Sequence, residues 1–354
     1  MKLTSIFQKI IDKLKYYFQN NSFSQLLKLF FQYDNYSEEV EAIIKQEKPN
    51  TIYLHEFKSL FVLNSVYKKN KHLFDNINVV YDAHEIECFR NPPKNFLLRN
   101  IIEYLEINYL NKLKSKVVSV SYGLINYYKK KTNQKENVFL IKNLPSVVDF
   151  SKYPNYDHII DVRQKFFKYK NVDDLLGIYV GNITINRGIE EAIKLINEFP
   201  NVRLALIGKA INKKYEEKIN SLISDSNRIK IYKEVPNHKL VNFIKTADFS
   251  IIPTLPITLS YLYSSPNKLH ESKAAKLPIF AQDLPEHKIE IKLNSDNQLG
   301  KLTNFLDLTV LKTDFEIFLS NLNTYKNNYN YTKDQFFNDQ SQINTYKKIL
   351  DENL

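Results

Sequence analysis

The chain contains few glycines, which limits the kinds of nucleotide site that it can hold. Only six glycines occur among 354 residues, and none of them precedes Gly123. No P-loop and no GxGxxG segment is present, which excludes the two common glycine-rich phosphate loops. A nucleotide site in this chain therefore needs a different kind of strand-to-helix turn.

Cysteine and long apolar runs are also scarce. Cys88 is the only cysteine, which excludes a disulfide framework and cysteine-based zinc or iron–sulfur sites and is typical of a reducing cytoplasm. No run of about 18 apolar residues occurs, so we expect no transmembrane helix. Lysines interrupt the apolar residues near the N-terminus, so we expect no signal peptide either. No DxD or HExxH motif and no serine nucleophile elbow occurs, and we expect no metal site.

The chain has fewer acidic residues than basic residues. Lysine and arginine number 50 against 39 aspartates and glutamates, for a net charge of +11. Such a surplus favours an anionic partner, either a phosphate-bearing substrate, an acidic membrane face or a nucleic acid. A codon bias toward lysine, asparagine, isoleucine and tyrosine would explain the surplus without any partner. Since no helix-turn-helix or RNA-recognition signature occurs, we expect no nucleic-acid partner.

Residues 2–18 carry apolar side chains at helical spacing and are predicted to form an amphipathic helix. Residues 1–31 contain five lysines and one aspartate, a local charge of +4. A basic amphipathic helix favours peripheral docking on an anionic membrane surface. The alternative is a helix packed on its own domain. We therefore expect a cytoplasmic protein with possible peripheral contact at the inner membrane face.

From residue 51 onward, short apolar runs alternate with helical patterns, which predicts parallel sheets covered on both faces. The predicted class is α/β, with two tandem doubly wound, Rossmann-like domains. The predicted strands are 51–55, 78–82, 116–120, 137–141, 176–180, 202–207, 228–232, 249–252 and 278–281. The predicted parts of the chain are a first domain over 1–150 with a helical start over 1–50, a linker over 151–172, a second domain over 173–330, and a final helix within 331–354.

Two polar clusters directly follow predicted strands of the first domain. His84 belongs to the segment Tyr-Asp-Ala-His-Glu at 81–85, and His55 with Glu56 ends the preceding strand. Because ligands bind beyond the carboxyl ends of parallel strands, both clusters are candidates for one cleft. The His84 ring is suited to bonding a sugar hydroxyl or to proton transfer. The alternative is a helix N-cap cluster without a chemical role.

The strand-to-helix turn over 180–191 is the best candidate for an anion site. Gly181 permits close approach of the backbone, and Gly188 permits a non-standard entry into the next helix. The free N–H groups at that helix start, with Arg187 beside them, are suited to a pyrophosphate. The alternative is an ordinary turn whose following glutamates only favour the helix.

A second candidate segment covers 264–271. Ser265 is predicted to cap a helix with Pro266 at its first position. Asn267 and Glu271 then lie one turn apart on one face. A carboxylate there can accept hydrogen bonds from both ribose hydroxyls, and Lys268 can meet phosphate. The alternative is a well-capped surface helix.

Taken together and in order, these segments resemble the retaining glycosyltransferases of the GT-B fold, in the large family 4 group. The matching segments are YDAHE at 81–85, VVSVSYGLINYY at 117–128, IKNLP at 141–145, YVGNITINRGIEEAI at 179–193, ALIGK at 205–209, ADFSIIP at 247–253 and SPNKLHESKAAKLPIFAQDLPE at 265–286. The resemblance covers residues 50 to 350. It implies a UDP- or GDP-linked sugar donor held mainly by the second domain, an acceptor held by the first, and a final helix that returns to the first domain.

The resemblance also implies roles for individual residues. The implied donor-binding residues are Gly181, Asn182, Arg187, Ser265, Asn267, Lys268 and Glu271. Within that set, Glu271 would bind the ribose, while Arg187 and Lys268 would neutralise the diphosphate. The implied catalytic residues are His84, Arg187 and Lys268, with His84 touching the donor sugar near the reacting carbon. Fixed cations stabilise a departing diphosphate, so no metal and no cofactor are implied.

Three residues and one missing segment depart from the family pattern. Tyr263 stands where a second glutamate is usual, eight positions before Glu271, and Lys276 and Lys209 stand where glycine is common. The opening strand with its glycine-rich loop is not recognisable.

The expected function is a metal-independent hexosyltransferase of bacterial surface polysaccharide synthesis. It would act with retention of configuration on a glycan or lipid-linked acceptor. The alternatives are a catalytically weak GT-B subunit that binds a partner transferase or the membrane, a basic nucleic-acid binder, and a sugar-nucleotide epimerase of the same fold.

Overall fold

A computed structural model of the chain describes residues 36–90, 94–146, 161–167, 174–331 and 340–350. The predicted helix over 2–18 lies outside these residues. The α/β class with two Rossmann-like domains is confirmed, because the described residues form one parallel sheet of four strands and another of six. Within the described part of the chain, no helix is long and apolar enough to cross a membrane.

The chain divides into two units. The first comprises the described residues among 1–141, with 258–260 and 344–350, and the second comprises those among 142–257 and 261–343. Among the described residues, the helices are α1 (Tyr36–Glu47), α2 (Glu56–Lys69), α3 (Phe96–Lys112), α4 (Tyr122–Lys131), α5 (Val162–Phe167), α6 (Ile189–Asn197), α7 (Lys213–Leu222), α8 (Asn237–Ile244), α9 (Leu259–Leu262), α10 (Asn267–Ala274), α11 (Pro285–Glu290), α12 (Leu308–Ser320), α13 (Leu322–Asn328) and α14 (Gln340–Leu350). Short 3-10 turns cover Lys71–Phe74, Glu87–Phe89 and Lys135–Asn137.

The first unit contains the four-stranded sheet, in the order β1-β2-β3-β4. Its strands are β1 (Thr51–His55), β2 (Asn78–Ala83), β3 (Lys116–Ser119) and β4 (Val138–Leu140), all parallel. The strands are nearly continuous apolar runs because both faces are covered. On one face Val80 packs with Val118 and with Ile349 of α14. On the other, the Tyr81 ring meets Tyr128 of α4 edge-on.

The second unit contains the six-stranded sheet, in the order β10-β9-β8-β5-β6-β7. Its strands are β5 (Leu175–Val180), β6 (Val202–Ile207), β7 (Ile229–Tyr232), β8 (Phe249–Ile252), β9 (Ile279–Gln282) and β10 (Gly300–Thr303). The chain runs outward from β5 to β7 and then returns to β8 on the other side of β5. This reversal is the topological switch point of a doubly wound sheet, where ligands of such sheets bind.

A cluster of aromatic rings fills one face of the second sheet. Phe315 and Phe318 of α12 contact both Phe249 of β8 and Phe280 of β9, at centroid distances of 5.0–5.6 Å. All four side chains are fully buried. Burying one phenylalanine contributes about 1.5–3 kcal/mol, so this cluster is a main stabilising element beneath the switch point.

Residues at the start of the second unit include a short helix. The second unit begins at Lys142, and α5 lies inside the segment predicted as linker 151–172. Val162 and Phe166 of α5 are buried in a core that includes Leu176. Val162 and Phe166 lie one helical turn apart and pack this segment onto the second unit. Because the residues around them are polar, the sequence showed no apolar pattern long enough to predict a helix.

Candidate functional site

Strands β5 and β8 are neighbours at the switch point, and both lead directly into the predicted site segments. Gly177 pairs with Phe249 and Ile178 with Ser250 in parallel register. The turn over 181–188 follows β5, and the segment from Pro253 to α10 follows β8. The sequence-predicted segments therefore meet at one edge of the second sheet.

The turn after β5 depends on its two glycines. Gly181 has a φ of 123° and Gly188 a φ of 72°, in the region that only glycine adopts readily. A Cβ at Gly188 would lie 1.9 Å from the carbonyl oxygen of Pro253, so the start of α6 packs directly on the chain leaving β8. Asn186, at a φ of 68°, has the same left-handed conformation. The turn therefore presents Arg187 between two left-handed residues.

Two cations lie at this turn, and each is held against an aromatic ring. The guanidinium of Arg187 lies 4.6 Å from the ring centroid of Tyr261. The ammonium of Lys268 lies 4.1 Å from the ring centroid of Tyr179, and the same atom is 3.6 Å from the position that a Cβ on Gly181 would take. Lys268 is 7% exposed. Burial, and then the charge of Arg187, hold the pKa of Lys268 well below its usual value.

Glu271 supplies a carboxylate beside these cations. It lies on α10, three residues after Lys268 and therefore on the same side of the helix. Burial raises the pKa of Glu271 to about 7, although Lys268 acts in the opposite direction. Arg187 and Glu271 both act on the pKa of Lys268, so Lys268 lies within electrostatic reach of each of them. Two cations and one carboxylate suit a ligand with a diphosphate and adjacent hydroxyls.

Ser265 does not cap the helix, contrary to the prediction. Pro266 precedes the first residue of α10 and no side chain caps that end, whereas Ser265 Oγ lies 2.8 Å from Nε2 of His270. The proline turns the chain so that the serine faces the buried histidine instead of the helix N–H groups. Burial lowers the pKa of His270 to about 4, so its ring is neutral at pH 7.

A buried ion-pair group centred on Glu290, next to His270, was not predicted from the sequence. Glu290 lies 2.5 Å from the ammonium groups of both Lys142 and Lys273, and its Oε2 is 4.0 Å from Nδ1 of His270. Burial opposes ionisation of Glu290, but the lysines and His270 lower its pKa to about 2. Because 4.0 Å is too long for a hydrogen bond, Ser265 and His270 do not form a nucleophilic triad with Glu290. The group instead fixes the helix that carries Lys268 and Glu271.

In the first unit, His84 lies just after β2 and belongs to a three-residue group. Asp82 Oδ2 is 3.1 Å from Nε2 of His84 and 3.1 Å from Nδ1 of His55. The hydrogen bond to Asp82 raises the pKa of His84 more than burial lowers it. Sequence reasoning singled out both histidines but missed the carboxylate that joins them. The signal was available, because Asp82 is a carboxylate within the buried run of β2.

Comparison with known proteins gives a family match for most of the second unit. Residues 161–327 match the profile of the family described as glycosyl transferases group 1. They form a glycosyl transferases group 1 domain. No curated protein sequence matches the chain.

The whole chain containing this group 1 domain is similar in fold to several solved structures. A sucrose-phosphate synthase from Thermosynechococcus elongatus is 14% identical with a TM-score of 0.68, covering 91% of this chain and 78% of that chain. A glycosyltransferase from Rickettsia africae is 13% identical with a TM-score of 0.62, covering 91% and 82%. HepE of Anabaena, in complex with UDP and glucose, is 16% identical with a TM-score of 0.66, covering 89% and 81%. These matches confirm the GT-B fold predicted from the sequence.

Within the group 1 domain, the predicted residues fall into two sets. Arg187, Lys268 and Glu271 share the switch point with the turn at Gly181. The backbone carbonyl of Asn182 accepts the Tyr179 hydroxyl at 2.8 Å, so this residue helps to fix the turn. The exposed Asn267 accepts a hydrogen bond from Asn143 at 2.7 Å. The remaining candidate, His84, belongs to the first unit.

Proposed function

We propose that the protein is a glycosyltransferase that moves a hexose-type sugar from a UDP- or GDP-linked donor to a glycan or lipid-linked acceptor. The observation that carries this proposal is the joint position of Arg187, Lys268 and Glu271 at the switch point of a group 1 domain. Two cations and a carboxylate there match the charges of a nucleoside diphosphate and the hydroxyls of its ribose. HepE, a structure of similar fold, is described in complex with UDP and glucose.

The proposed chemistry rests on stabilising the leaving group. When the bond from the sugar to the diphosphate breaks, negative charge grows on the phosphate oxygens. Arg187, Lys268 and the N–H groups at the start of α6 stabilise that charge in the transition state. These groups are fixed before the reaction, so they supply this stabilisation without a metal at the diphosphate. Glu271 accepts hydrogen bonds from the ribose hydroxyls and positions the nucleotide.

Three finer parts of the proposal concern the sugar and its destination. His84 contacts the donor sugar near the reacting carbon, and the reaction retains the anomeric configuration. The product is a bacterial surface polysaccharide or its lipid-linked precursor. Residues 2–18, which lie outside the described residues, hold this cytoplasmic protein at the inner face of the membrane.

A panel of sugar nucleotides tests the proposal with the purified full chain. We expect one donor to raise the melting temperature in a concentration-dependent way and to be turned over with an acceptor. Arg187→Ala should weaken donor binding about tenfold or more, because it removes a charge-assisted contact. The control Lys214→Ala removes one positive charge at an exposed position of the same unit and should leave donor binding unchanged. Equal donor affinity in wild type and Arg187→Ala would contradict the assignment.

The second candidate function is a catalytically weak GT-B subunit that binds a partner transferase or the membrane. Two observations favour it. Tyr263 replaces a usual donor contact, and β1 leads into α2 without a loop, with Glu56 at a φ of 62°. Donor binding without donor turnover, by the chain alone and with acceptors present, would support this candidate over the enzyme.

A further inference from the structure

His55, Asp82 and His84 form a cluster at the carboxyl ends of β1 and β2. His55 and Asp82 are direct partners in the parallel register of these strands, and His84 follows β2 by one residue. One ligand atom from each residue lies within 4.8 Å of the others. The register of the sheet itself therefore places these three side chains together.

We propose that His55, Asp82 and His84 form a binding site for one Zn²⁺ ion. Two imidazole nitrogens and one carboxylate oxygen are a donor set that zinc prefers, with a fourth position left for water or a ligand. In a tetrahedral zinc site, ligand atoms lie about 3.3 Å from one another, given bond lengths near 2.0–2.1 Å. The two nitrogen-to-Asp82 distances of 3.1 Å are close to that spacing.

The surroundings of the cluster leave one side open. The side chain of His55 is 67% exposed and that of His84 is 39% exposed, whereas that of Asp82 is 9% exposed. An ion can therefore enter from solvent on the side of the two histidine rings. The buried Asp82 supplies the fixed ligand.

A supporting shell orients Asp82 and adds negative charge. Burial and then the charge of Asp82 raise the pKa of Tyr53, so the Tyr53 hydroxyl lies close to that carboxylate. Such a contact holds a ligating carboxylate in position. Nearby, Glu56, Glu85 and Glu87 pair with Arg90, and Glu87 also pairs with Lys94. The charges of Glu56 and Glu85 add to that of Asp82 at His84, although Arg90 and Lys94 offset part of them.

The competing explanation is a hydrogen-bonded group in which Asp82 accepts an N–H from each histidine. That group would have no special affinity for zinc. The two explanations also differ for the proposed transfer reaction, because Zn²⁺ on Nε2 would withhold this atom of His84 from the donor sugar. Metal and sugar would then compete for one side chain.

Zinc titration of the full chain, after removal of metals with a chelator, decides between them. We expect one equivalent of Zn²⁺ to bind in competition with a chromophoric chelator, and Co²⁺ to give visible absorption bands of a nitrogen–oxygen site of low coordination number. His55→Ala and His84→Ala should each weaken binding about tenfold or more. Asp82→Asn should do the same, with the melting temperature recorded because this residue is buried.

His72→Ala is the matched control. His72 Nδ1 lies 3.5 Å from Asp75 in the same unit, but both side chains are exposed and no third ligand completes the group among the described residues. The control should bind zinc like wild type. The inference is overturned if the wild type binds no stoichiometric Zn²⁺, or if His55→Ala, with an unchanged melting temperature, binds zinc like wild type. Neither result touches donor binding by the second unit, so the zinc site and the proposed transferase function fail separately.

Discussion

The ammonium group of Lys268 lies 4.1 Å from the ring centroid of Tyr179 and has no carboxylate partner in an ion pair within the described part of the chain. The charge of Glu271 favours the ammonium form of Lys268, but burial and the charge of Arg187 outweigh it, and an aromatic face compensates only in part. A diphosphate bound at the Gly181 turn would supply the missing anion. The buried lysine therefore lowers the stability of the free chain, and a bound diphosphate would compensate for this cost.

Lys268→Met should separate stability from binding. Methionine has a similar length and no charge, so we expect the free chain to keep or slightly raise its melting temperature. Affinity for the sugar nucleotide should fall about tenfold or more, because a charge-assisted contact is lost. Thermal unfolding with and without donor measures both effects.

Lys273→Met is the contrasting variant on the same helix. Lys273 is also buried, but it lies 2.5 Å from Glu290. Losing the sole partner of a buried charge destabilises by about 3–5 kcal/mol, and the loss here should be smaller because Lys142 still pairs with Glu290. We expect a clear loss of unfolding free energy here. Similar stability losses in the Lys268 and Lys273 variants would contradict the claim that only Lys268 awaits an anion.

Glu271 should make donor binding depend on pH. Burial raises its pKa to about 7, so the free chain carries a mostly neutral carboxyl at pH 6 and a mostly ionised one at pH 8. Since the ionised form accepts both ribose hydroxyls, the advantage of wild type over Glu271→Gln should grow as pH rises through 7. Donor affinity measured by calorimetry at pH 6, 7 and 8 checks this, and a ratio that does not change with pH would exclude a role for the ionised carboxylate.

Glu106 should make the stability of the first unit depend on pH. It is fully buried, and burial raises its pKa to about 7 although the hydroxyls of Tyr81 and Tyr128 donate to it. A carboxyl with a raised folded-state pKa contributes stability that is present below its unfolded value near 4.5 and is lost as pH rises through 7. Glu106→Gln should remove this loss. The unfolding free energy of the variant, relative to wild type, should therefore be higher at pH 8 than at pH 5 in denaturant unfolding.

Glu103 provides the opposite case on the same helix. Burial would raise its pKa, but Lys131 and Tyr127 together lower it. Its contribution is therefore present above the unfolded pKa and is lost as pH falls. Glu103→Gln should lower stability at neutral pH and have a smaller effect in acid. The same sign of pH dependence in both variants would refute the assignment of these two environments.

Lys276→Gly should stabilise the chain. Lys276 has a φ of 56°, a left-handed conformation that is unfavourable for residues with a Cβ. Relief of this strain, reduced by the greater freedom of glycine in the unfolded chain, should raise the unfolding free energy by about 1 kcal/mol. The control Lys245→Gly changes a right-handed residue with a φ of −59° and should destabilise instead. A loss of stability in Lys276→Gly would show that the lysine side chain itself is needed.

Most strands could be predicted because apolar runs that are buried on both faces differ visibly from amphipathic helices. The predicted strands 51–55, 202–207 and 249–252 have the observed bounds. Strand β10 was missed, since Gly300–Thr303 mixes polar with apolar residues. The position of β10 depends on close packing against β9. A Cβ on Gly300 would lie 1.9 Å from the carbonyl oxygen of Ile279. Close approach to a partner strand leaves little trace in local composition.

Local sequence was enough to locate the turn at Gly181, the segment that carries Glu271 and the polar ends of β1 and β2. Each follows a strand, and the carboxyl ends of parallel strands lie on one side of a sheet. The properties of the side chains depended on packing between distant segments. Burial of Lys268 against Tyr179, the contact of Ser265 with His270 instead of the helix end, and the register that pairs His55 with Asp82 each join residues from different elements. Backbone propensity acts over a few neighbouring residues, whereas burial, pKa and the meeting of ligand atoms arise only when the sheets assemble.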